Sequence, residues 1–404
     1  MEEADTDTAP RRSKPRFRKR RVLGAVLLAL PLLWLGWRSA VSRMDFPRLI
    51  IRPPLPPLKP PQEPDGSPAM GAVALSPDGK IIWSGGSRVS GKIGDKFYDS
   101  KAVLPIYAWD AHTGRQLYSL PGHVRQVTAL VCSPDGRYLA SSGWDNTAKL
   151  WDTRTRQMVW SRPGSPPTLV FSPDSKLLAT GGEIWDARTG KDVRVVKKSS
   201  ADLFDHAHPA DLYGAAFSPD GKVFACVSDD YHYDPASLLS VTQPQRVVGH
   251  RVQLWDTASG RLNTTLPDSQ TQDVTYSPDG HGIACIYDTS EMVGGSNGGV
   301  VRVLNALTGA EQWHFEKIKD SSWCMVSLRY SPNGKWLAVE LINHDVVLFN
   351  AATGHLFKRL HAYELPHGGS FQLTHSALAF SGDGKTLVGR GDNTVQVWDT
   401  SGLP

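Results

Sequence analysis

The chain has 404 residues, of which 40% are hydrophobic, and this composition excludes a disordered or collagen-like protein. It has four cysteines, which excludes a disulfide-rich scaffold. The formal charge is +4, but residues 1–43 hold ten basic and four acidic residues, so the remainder carries −2. A nearly neutral body lacks the basic surface that nucleic acid requires, so we expect no nucleic-acid partner.

A basic cluster precedes an uncharged apolar run near the N-terminus. Eight of the eleven residues 11–21 are basic, and the apolar run covers residues 22–37. As a helix this run would reach about 24 Å, and residues 38–41 would complete a membrane span of about 30 Å. We therefore predict a basic cytoplasmic segment over residues 1–21 and a transmembrane signal anchor over residues 22–41.

A cleaved signal peptide is the alternative to this anchor. Its apolar region is typically about 7–15 residues long. Cleavage before Val41 would place Arg38 where a small residue is required, which favours the uncleaved anchor. The positive charge on the N-terminal side predicts a single-pass membrane protein whose N-terminus stays cytoplasmic. The body of the chain would then be exported to the periplasm or the cell exterior.

A short turn motif recurs seven times after residue 70. Each copy has serine first, proline or glycine second, and aspartate or asparagine third. Proline presets φ for a tight turn, and the aspartate side chain bonds to nearby backbone. The copies begin at Ser76, Ser133, Ser172, Ser218, Ser277, Ser331 and Ser381. A motif at this spacing predicts a repeat architecture.

A second motif alternates with the first. It pairs an aromatic or apolar residue with aspartate or asparagine. The seven pairs are Trp109-Asp110, Trp151-Asp152, Trp185-Asp186, Trp255-Asp256, Leu304-Asn305, Phe349-Asn350 and Trp398-Asp399. Together the two motifs resemble the WD40 repeat family, whose four-stranded blades surround a channel. The resemblance covers residues 70–404 and implies an all-β, seven-bladed WD40-like propeller, preceded here by the single transmembrane helix.

The resemblance also implies structural roles for particular side chains. In the WD40 family a histidine, a serine, an aspartate and a tryptophan can share hydrogen bonds within a blade. The second repeat matches this set with His123, Ser141, Asp145 and Trp151, so His123 is interpreted as structural and not catalytic.

Three of the four cysteines occupy apolar or small columns of the repeat. These are Cys132, Cys226 and Cys285, which are expected to be core residues. The sequence has no CxxC spacing, so we predict no disulfide and no metal bound by cysteine.

The last repeat has too few residues after Asp399 for an outer strand, which would leave the sheet edge unpaired. The missing strand is therefore expected in the Pro-rich linker over residues 42–69. Residues 48–52 have the most β-favouring composition there and are predicted to close the ring. A strand at residues 64–69 is the alternative.

Connection lengths distinguish two faces of the predicted propeller. Both turn types are constant in length, and the family places them on one face. Longer connections are expected at residues 86–103, 199–212, 229–249, 288–299, 315–323 and 361–374. These would lie on the opposite face, where long loops on a rigid scaffold commonly bind ligands. Neutral drift is the alternative, since surface insertions cost little stability.

The fourth repeat has the richest loop chemistry, and residues from other loops extend the candidate surface. The binding-surface candidates are Tyr98, Trp144, Asp205, His206, His208, Asp229, Asp230, Tyr231, His232, Tyr233, Asp234, His361, Tyr363 and His367. We interpret them as a polar and aromatic contact patch for a protein. A metal site is the alternative, although the spacing matches no closed ligand motif.

The sequence contains no nucleophile elbow, Walker loop, dinucleotide fingerprint or HExxH motif. We therefore predict a membrane-anchored, non-enzymatic interaction scaffold without cofactors, which binds protein partners through its variable-loop face. The alternative is a small-molecule or metal sensor, or an unrecognised hydrolase, that uses the channel mouth near the fourth blade.

Overall fold

The computed structural model describes the chain in segments. They are residues 47–51, 70–86, 92–93, 96–97, 103–164, 168–180, 182–195, 214–232, 246–266, 271–288, 298–317, 325–362, 378–391 and 394–403. Within these residues the regular elements are β-strands, which form seven four-stranded antiparallel sheets and one two-stranded sheet. The prediction of an all-β, seven-bladed propeller is confirmed.

The first strand in the chain, β1 (Leu49–Ile51), belongs to the seventh sheet. Blade 1 consists of β2 (Met70–Leu75), β3 (Ile81–Gly86), β6 (Leu104–Asp110) and β7 (Gln116–His123). Between β3 and β6 lie the paired strands β4 (Lys92–Ile93) and β5 (Lys96–Phe97). Blade 2 consists of β8 (Val127–Cys132), β9 (Tyr138–Gly143), β10 (Thr147–Asp152) and β11 (Met158–Pro163).

The next three blades follow in chain order. Blade 3 consists of β12 (Val170–Phe171), β13 (Leu177–Ala179), β14 (Glu183–Asp186) and β15 (Asp192–Val195). Blade 4 consists of β16 (Ala215–Phe217), β17 (Val223–His232), β18 (Arg246–Asp256) and β19 (Leu262–Thr265). Blade 5 consists of β20 (Thr271–Tyr276), β21 (Gly282–Asp288), β22 (Gly299–Asn305) and β23 (Glu311–Lys317).

The last two blades complete the seven sheets. Blade 6 consists of β24 (Met325–Tyr330), β25 (Trp336–Leu341), β26 (Val346–Asn350) and β27 (Leu356–Leu360). Blade 7 consists of β28 (Leu378–Phe380), β29 (Thr386–Arg390), β30 (Val395–Asp399) and β1. We call the strands of each blade A to D, from the first of the repeat to the outermost.

Blade 7 obtains its fourth strand from upstream of blade 1. The register pairs Leu49 with Val397 and Ile51 with Val395, antiparallel. Ile51 is buried in a cluster with residues of both blade 7 and blade 1, including Val73. This strand therefore occupies the outer position of blade 7 at the junction with blade 1, in the segment that the sequence nominates for ring closure.

The A–B turns share one hydrogen-bonding pattern. In all seven, the serine hydroxyl donates to the aspartate or asparagine Oδ1 over 2.5–2.7 Å. The same hydroxyl accepts the backbone N–H five residues later, as Ser76 does from Ile81 over 2.8 Å. The fourth position needs positive φ, for example 71° at Gly79, which glycine adopts without steric cost. These contacts explain why the turn motif keeps a constant length.

Neighbouring A–B turns also contact one another. A Cβ added at Gly136 would lie 3.7 Å from Pro77 of the preceding blade, and corresponding glycine–proline contacts join four further junctions. Blades 2 and 3 are joined by the Asp135 N–H, which donates to Ser175 Oγ over 3.1 Å. The Gly382 N–H donates to Pro77 O over 2.7 Å and joins blade 7 to blade 1. The seven turns thus form a closed ring of contacts.

Outer strands pack on the C–D turn of the following blade. The Trp160 indole donates to Ala187 O over 2.9 Å, and the Trp313 indole donates to Ala351 O over 2.8 Å. Arg194 contributes a guanidinium at the same place and donates to Ala258 O. A second set of contacts between blades therefore lies at the perimeter.

The hydrophobic core lies between adjacent blades. Each buried cluster combines two neighbouring sheets, as when Trp83 and Ile106 of blade 1 pack with Leu139 and Trp151 of blade 2. Because each strand alternates its side chains between two faces, each blade contributes one face to each neighbour. Burial on both faces explains the apolar columns of the repeat.

In the part of the chain that the structure describes, no helix is long and apolar enough to cross a membrane. Residues 22–41 lie outside the described residues, and the transmembrane anchor stays a prediction from the sequence.

Candidate functional site: the variable rim

The strand order assigns the connections to two rims. Because neighbouring strands are antiparallel, the A–B and C–D turns emerge at one rim, and the B–C and D–A connections emerge at the other. We call these the constant rim and the variable rim. At the constant rim the charged turn residues already have partners. For example, hydrogen bonds from the Ser218 hydroxyl and the Lys222 N–H lower the pKa of Asp220 to about 2.

The structure corrects the expected loop at residues 229–249. Strands β17 and β18 are ten and eleven residues long, and they continue the blade 4 hairpin past the end of β16. Their register pairs Asp229 with His250 and His232 with Arg246, with a bulge after Asp230. The candidates Asp229, Asp230, Tyr231 and His232 therefore lie on a paired strand at the variable rim and not in a loop.

Two of the binding-surface candidates have side chains that the structure describes, and these two lie on different blades. Trp144 occupies the B–C turn of blade 2, and His361 directly follows β27 of blade 6. Both belong to the variable rim, but they are far apart in blade order. The remaining candidates lie outside the described residues: Tyr98, Asp205, His206, His208, Tyr233, Asp234, Tyr363 and His367.

A buried hydrogen-bond network supports the variable rim at blade 2. His123 Nδ1 lies 2.9 Å from Asp145 Oδ1, and His123 Nε2 lies 2.8 Å from Ser141 Oγ. The Trp151 indole N–H donates to Ser141 Oγ over 2.9 Å. The consistent assignment has Nδ1–H donating to the carboxylate and the serine hydroxyl donating to Nε2. The four residues nominated by the sequence are thus one connected set.

The carboxylate of Asp145 accepts further hydrogen bonds that sequence reasoning missed. Thr147 Oγ1 donates to Oδ1 over 2.7 Å, and the Val124 N–H donates to Oδ2 over 3.0 Å. Lys149 Nζ lies 3.8 Å from Oδ2. Thr147 had a local signal, because a hydroxyl two residues after an aspartate commonly bonds to it. Val124 had none, since its N–H meets Asp145 only through the fold.

Burial sets the protonation states in this network. Burial lowers the pKa of His123 below its ordinary value, although the hydrogen bond to Asp145 raises it in part. For Asp145, burial raises the pKa, but hydrogen bonds from His123 and Thr147 outweigh it and hold the pKa well below its usual range. The network therefore contains a neutral imidazole and an ionised carboxylate at neutral pH.

A column of small residues lies two positions after the register partner of each tryptophan, and its serines accept the indole N–H in blades 1 and 2. The Trp109 indole donates to Ser84 Oγ over 2.9 Å in blade 1, as Trp151 does to Ser141 in blade 2. In blade 3, the Trp185 indole donates to Glu183 Oε2 over 2.9 Å, a partner that the sequence analysis did not identify. Cys226 occupies this column in blade 4 and Gly389 occupies it in blade 7. Among the described residues, Trp255 and Trp398 have no partner for their indole N–H.

Comparison with known proteins supports the interpretation of these repeats. A model of the WD domain, G-beta repeat, matches residues 114–152 and 368–399. These two segments of the propeller are similar to WD40 repeats. The first match includes the whole blade 2 network, and the second includes most of the described part of blade 7.

Several curated proteins are similar to parts of this chain. Protein HIR1 of Yarrowia lipolytica is 28% identical over 270 residues, which cover 57% of this chain and 23% of that protein. Protein groucho of Drosophila melanogaster is 28% identical over 167 residues, which cover 41% of this chain and 20% of that protein. An uncharacterized WD repeat-containing protein of Synechocystis is 31% identical over 168 residues, 40% of this chain and 41% of that protein. The chain thus spans less than half the length of these relatives.

A second network joins elements of the propeller at blade 6. Asp345, at the end of the B–C turn, accepts from Arg359 Nε and from the Ala362 N–H, each over 2.7 Å. His361 Nδ1 lies 3.4 Å from Asp345 Oδ2, and the His361 side chain is half exposed. The His361 side chain therefore lies beside the Asp345 carboxylate. The network also fixes the start of the connection from blade 6 to blade 7.

Metal binding was the alternative interpretation of the acidic and histidine candidates. Among the side chains that the structure describes, no group of three or more histidine, cysteine, aspartate or glutamate residues could hold a metal ion. Cys132, Cys226 and Cys285 form no disulfide with one another, and burial raises the pKa of Cys132 to about 12.

Proposed function

We propose that this WD40 propeller is a non-enzymatic scaffold that binds protein partners through its variable rim. The observation that carries the proposal is a difference between the two rims. The A–B turns of the constant rim are occupied with one another around the ring. The variable rim carries an exposed indole and the blade 4 hairpin that continues past its neighbour.

The names of relatives give limited support for a role in assemblies. One similar protein is eukaryotic translation initiation factor 3 subunit I of Bombyx mori, which is 26% identical over 156 residues. Its name makes it a subunit of a larger factor. Because propellers carry many functions on one fold, the rim and not the fold supports the proposal.

The experiment compares variants of the two rims in the full chain. Partners are captured on immobilised wild-type protein, identified, and then measured individually against variants by interferometry. The variable-rim variants replace residues 233–245 with a short Gly-Ser linker or change Trp144→Ala. Leu307→Ala is the matched control, because Leu307 is an exposed apolar residue in a C–D turn of the constant rim.

At least one variable-rim variant should weaken a partner about tenfold or more, as expected for a hot spot, while the control binds normally. Partners that bind all variable-rim variants like wild type, or that are lost only with Leu307→Ala, would refute the proposal.

We also propose that residues 22–41 anchor the scaffold to a membrane with the propeller on the exported side. The support is the sequence alone: the basic cluster over residues 11–21 followed by the apolar run. In cells whose cytoplasm stays closed, a protease that is given access to the exported side of the membrane should digest the propeller. Deletion of residues 1–41 should release the chain from the membrane fraction. A propeller that is digested only after the cytoplasm is opened would contradict this topology.

A further inference from the structure

The chain enters the propeller at the constant rim. Strand β1 pairs antiparallel with β30, which ends at Asp399 on that rim, so β1 begins at the constant rim and runs towards the variable rim. Arg48, which directly precedes β1, has contacts at the same place. Its Nη2 donates to Thr386 Oγ1 over 3.1 Å, and Thr386 is the first residue of β29. The entry point therefore lies on the constant rim, at the outer edge of blade 7.

Little chain separates this entry point from the proposed membrane anchor. The anchor is predicted to end at residue 41, and the first described residue is Pro47. Five residues lie between them, and even a fully extended chain of this length spans at most about 18 Å. The proline-rich residues 53–64 follow β1 and precede β2 in the chain, so they add nothing to this connection.

The height of a blade exceeds this reach. Inner strands such as β20 have six residues, which places the two rims about 20 Å apart at about 3.4 Å per residue. If the variable rim lay on the membrane, five residues would have to cover that height and the connections of the variable rim as well. Since they span at most about 18 Å, either the constant rim or the outer edge of blade 7 faces the membrane.

Exposed apolar side chains favour the constant rim over the outer edge of blade 7. In five blades such a side chain lies in the C–D turn or within the first two residues of the outer strand. These residues are Leu117, Met158, Leu262, Leu307 and Leu356. In contrast, the described side chains of β1, the outer strand of blade 7, are buried or partly buried. Apolar side chains that could enter a lipid interface are thus distributed around the constant rim.

Exposed lysines lie on the same rim. Lys80, Lys176, Lys222 and Lys385 each follow an A–B turn, and their side chains are 66–80% exposed. Each pairs with the aspartate of its own turn over 3.2–3.6 Å, and exposed ion pairs are weak. The ammonium groups therefore remain accessible to lipid phosphates, while apolar side chains on the same rim are stabilised by burial in the interface.

We infer that the constant rim lies against the lipid headgroups of the membrane that anchors the chain, with the variable rim directed away from it. The leucines and lysines of the constant rim contact the headgroup region. The variable rim is then open to protein partners. This inference rests on the proposed membrane anchor at residues 22–41 and names the surface of the propeller that meets the bilayer.

The test measures the height of single residues above the membrane, with the full chain in vesicles of phosphatidylethanolamine and phosphatidylglycerol. A small fluorescent amino acid replaces one exposed residue at a time, and energy transfer to acceptor-labelled headgroups gives its height. Lys80 on the constant rim and Val103 on the variable rim form a pair in blade 1. Leu307 on the constant rim and Glu316 near the variable-rim end of β23 form a pair in blade 5.

In each pair the constant-rim probe should lie about 20 Å closer to the headgroups than the variable-rim probe. A probe at Lys222 in blade 4, almost across the ring from blade 7, should lie as close as the probe at Lys80. A propeller standing on the outer edge of blade 7 would instead give equal heights within each pair and a distant Lys222 probe. That result, or a variable-rim probe closer than its partner, would overturn the inference. Unfolding midpoints establish that each labelled chain is folded.

Two insertions of the same flexible Gly-Ser segment form a matched comparison. An insertion between residues 43 and 44 lengthens the connection before β1, so it should move the constant-rim probes away from the headgroups, because the effective concentration of the rim at the bilayer falls with linker length. An insertion between residues 58 and 59 follows β1 and should leave all heights unchanged. Equal effects of the two insertions would contradict the inference.

The membrane anchor itself is tested by retention. If the full chain does not remain with the vesicles, the anchor proposal fails and this inference fails with it. If the chain remains with the vesicles but the heights within each pair are equal, the anchor proposal survives and only the orientation of the propeller is wrong.

Discussion

Blades 2 and 7 share a tryptophan on the third strand and the sequence Asp-Asn-Thr before that strand, but they differ in how the blade is completed and in the partners of the tryptophan. Blade 2 is built from one continuous stretch and connects Trp151 to Ser141, His123 and Asp145. Blade 7 is completed by β1, and its Trp398 indole has no partner among the described residues. A propeller blade therefore does not need the full network to form.

The difference indicates what the network contributes at blade 2. It holds the B–C turn that presents Trp144 on the variable rim, while packing and strand pairing suffice to close the ring at blade 7. One region is specialised for a rigid exposed turn, and the other is specialised for closure.

The largest effect is expected where the ring closes. Ile51→Asp would place a charge without a described partner into the buried junction of blades 7 and 1, at a cost of about 4 kcal/mol or more in the free energy of unfolding. Urea unfolding measures the loss. Ile50→Thr is the matched control, because Ile50 is less buried and threonine keeps strand propensity. Equal, small effects of both changes would show that β1 does not close the ring.

The next effect concerns the network itself. Ser141→Ala removes the acceptor of the Trp151 indole and the partner of His123 Nε2, which should cost about 2–4 kcal/mol because two buried groups lose their hydrogen bonds. The converse change in blade 7, Gly389→Ser, should also destabilise, because an added Cβ would lie 2.8 Å from the Trp398 ring. Stabilisation by Gly389→Ser would contradict the comparison of the two blades.

Acidification should weaken blade 2 specifically. The folded-state pKa of His123 lies below its ordinary value of 6.5, so the unfolded state binds the proton first as the pH falls. The stability contribution is therefore complete above pH 6.5 and declines below it, by at most about 1.4 kcal/mol per pH unit. Urea midpoints at pH 7.5 and 5.5 should fall further for wild type than for His123→Gln. Equal falls would mean that His123 does not contribute to the pH dependence.

The smallest effect tests the column of residues two positions after the register partner of each tryptophan. Cys226→Ser offers the Trp255 indole a hydroxyl of the kind that serves Trp109 and Trp151, and it should change stability by less than about 1 kcal/mol. Cys285→Ser is the matched control in blade 5, where Leu304 provides no indole, and it should destabilise by about 1–3 kcal/mol. A larger loss in Cys226→Ser than in Cys285→Ser would remove the column argument.

Repeated local signals made the fold predictable from the sequence. The turn motif, the aromatic pairs and the apolar columns each recur seven times, so errors at one blade are corrected by the others. Properties that occur once were harder to predict. The continuation of β17 and β18 through residues 229–232 and 246–249 depends on strand pairing. These residues contain no repeat motif that would predict the pairing.

A departure from the family pattern and contacts between distant segments explain the remaining differences. Glu183, two residues before Trp185, accepts the indole N–H in blade 3, a local partner that the family pattern does not encode. Val103 and Val124 join Trp144 only after blades 1 and 2 pack. The sequence therefore identified the exposed tryptophan as a candidate but not its neighbours.

We expect the constant rim to close the ring and the variable rim to bind partners. Hydrogen–deuterium exchange of the full chain, with and without a captured partner, tests it most directly. We expect partner-dependent protection in B–C and D–A connections, including residues 143–147, and unchanged exchange in the A–B turns. Protection centred on the Ser-Pro-Asp-Gly turns, with none on the opposite rim, would contradict the claim.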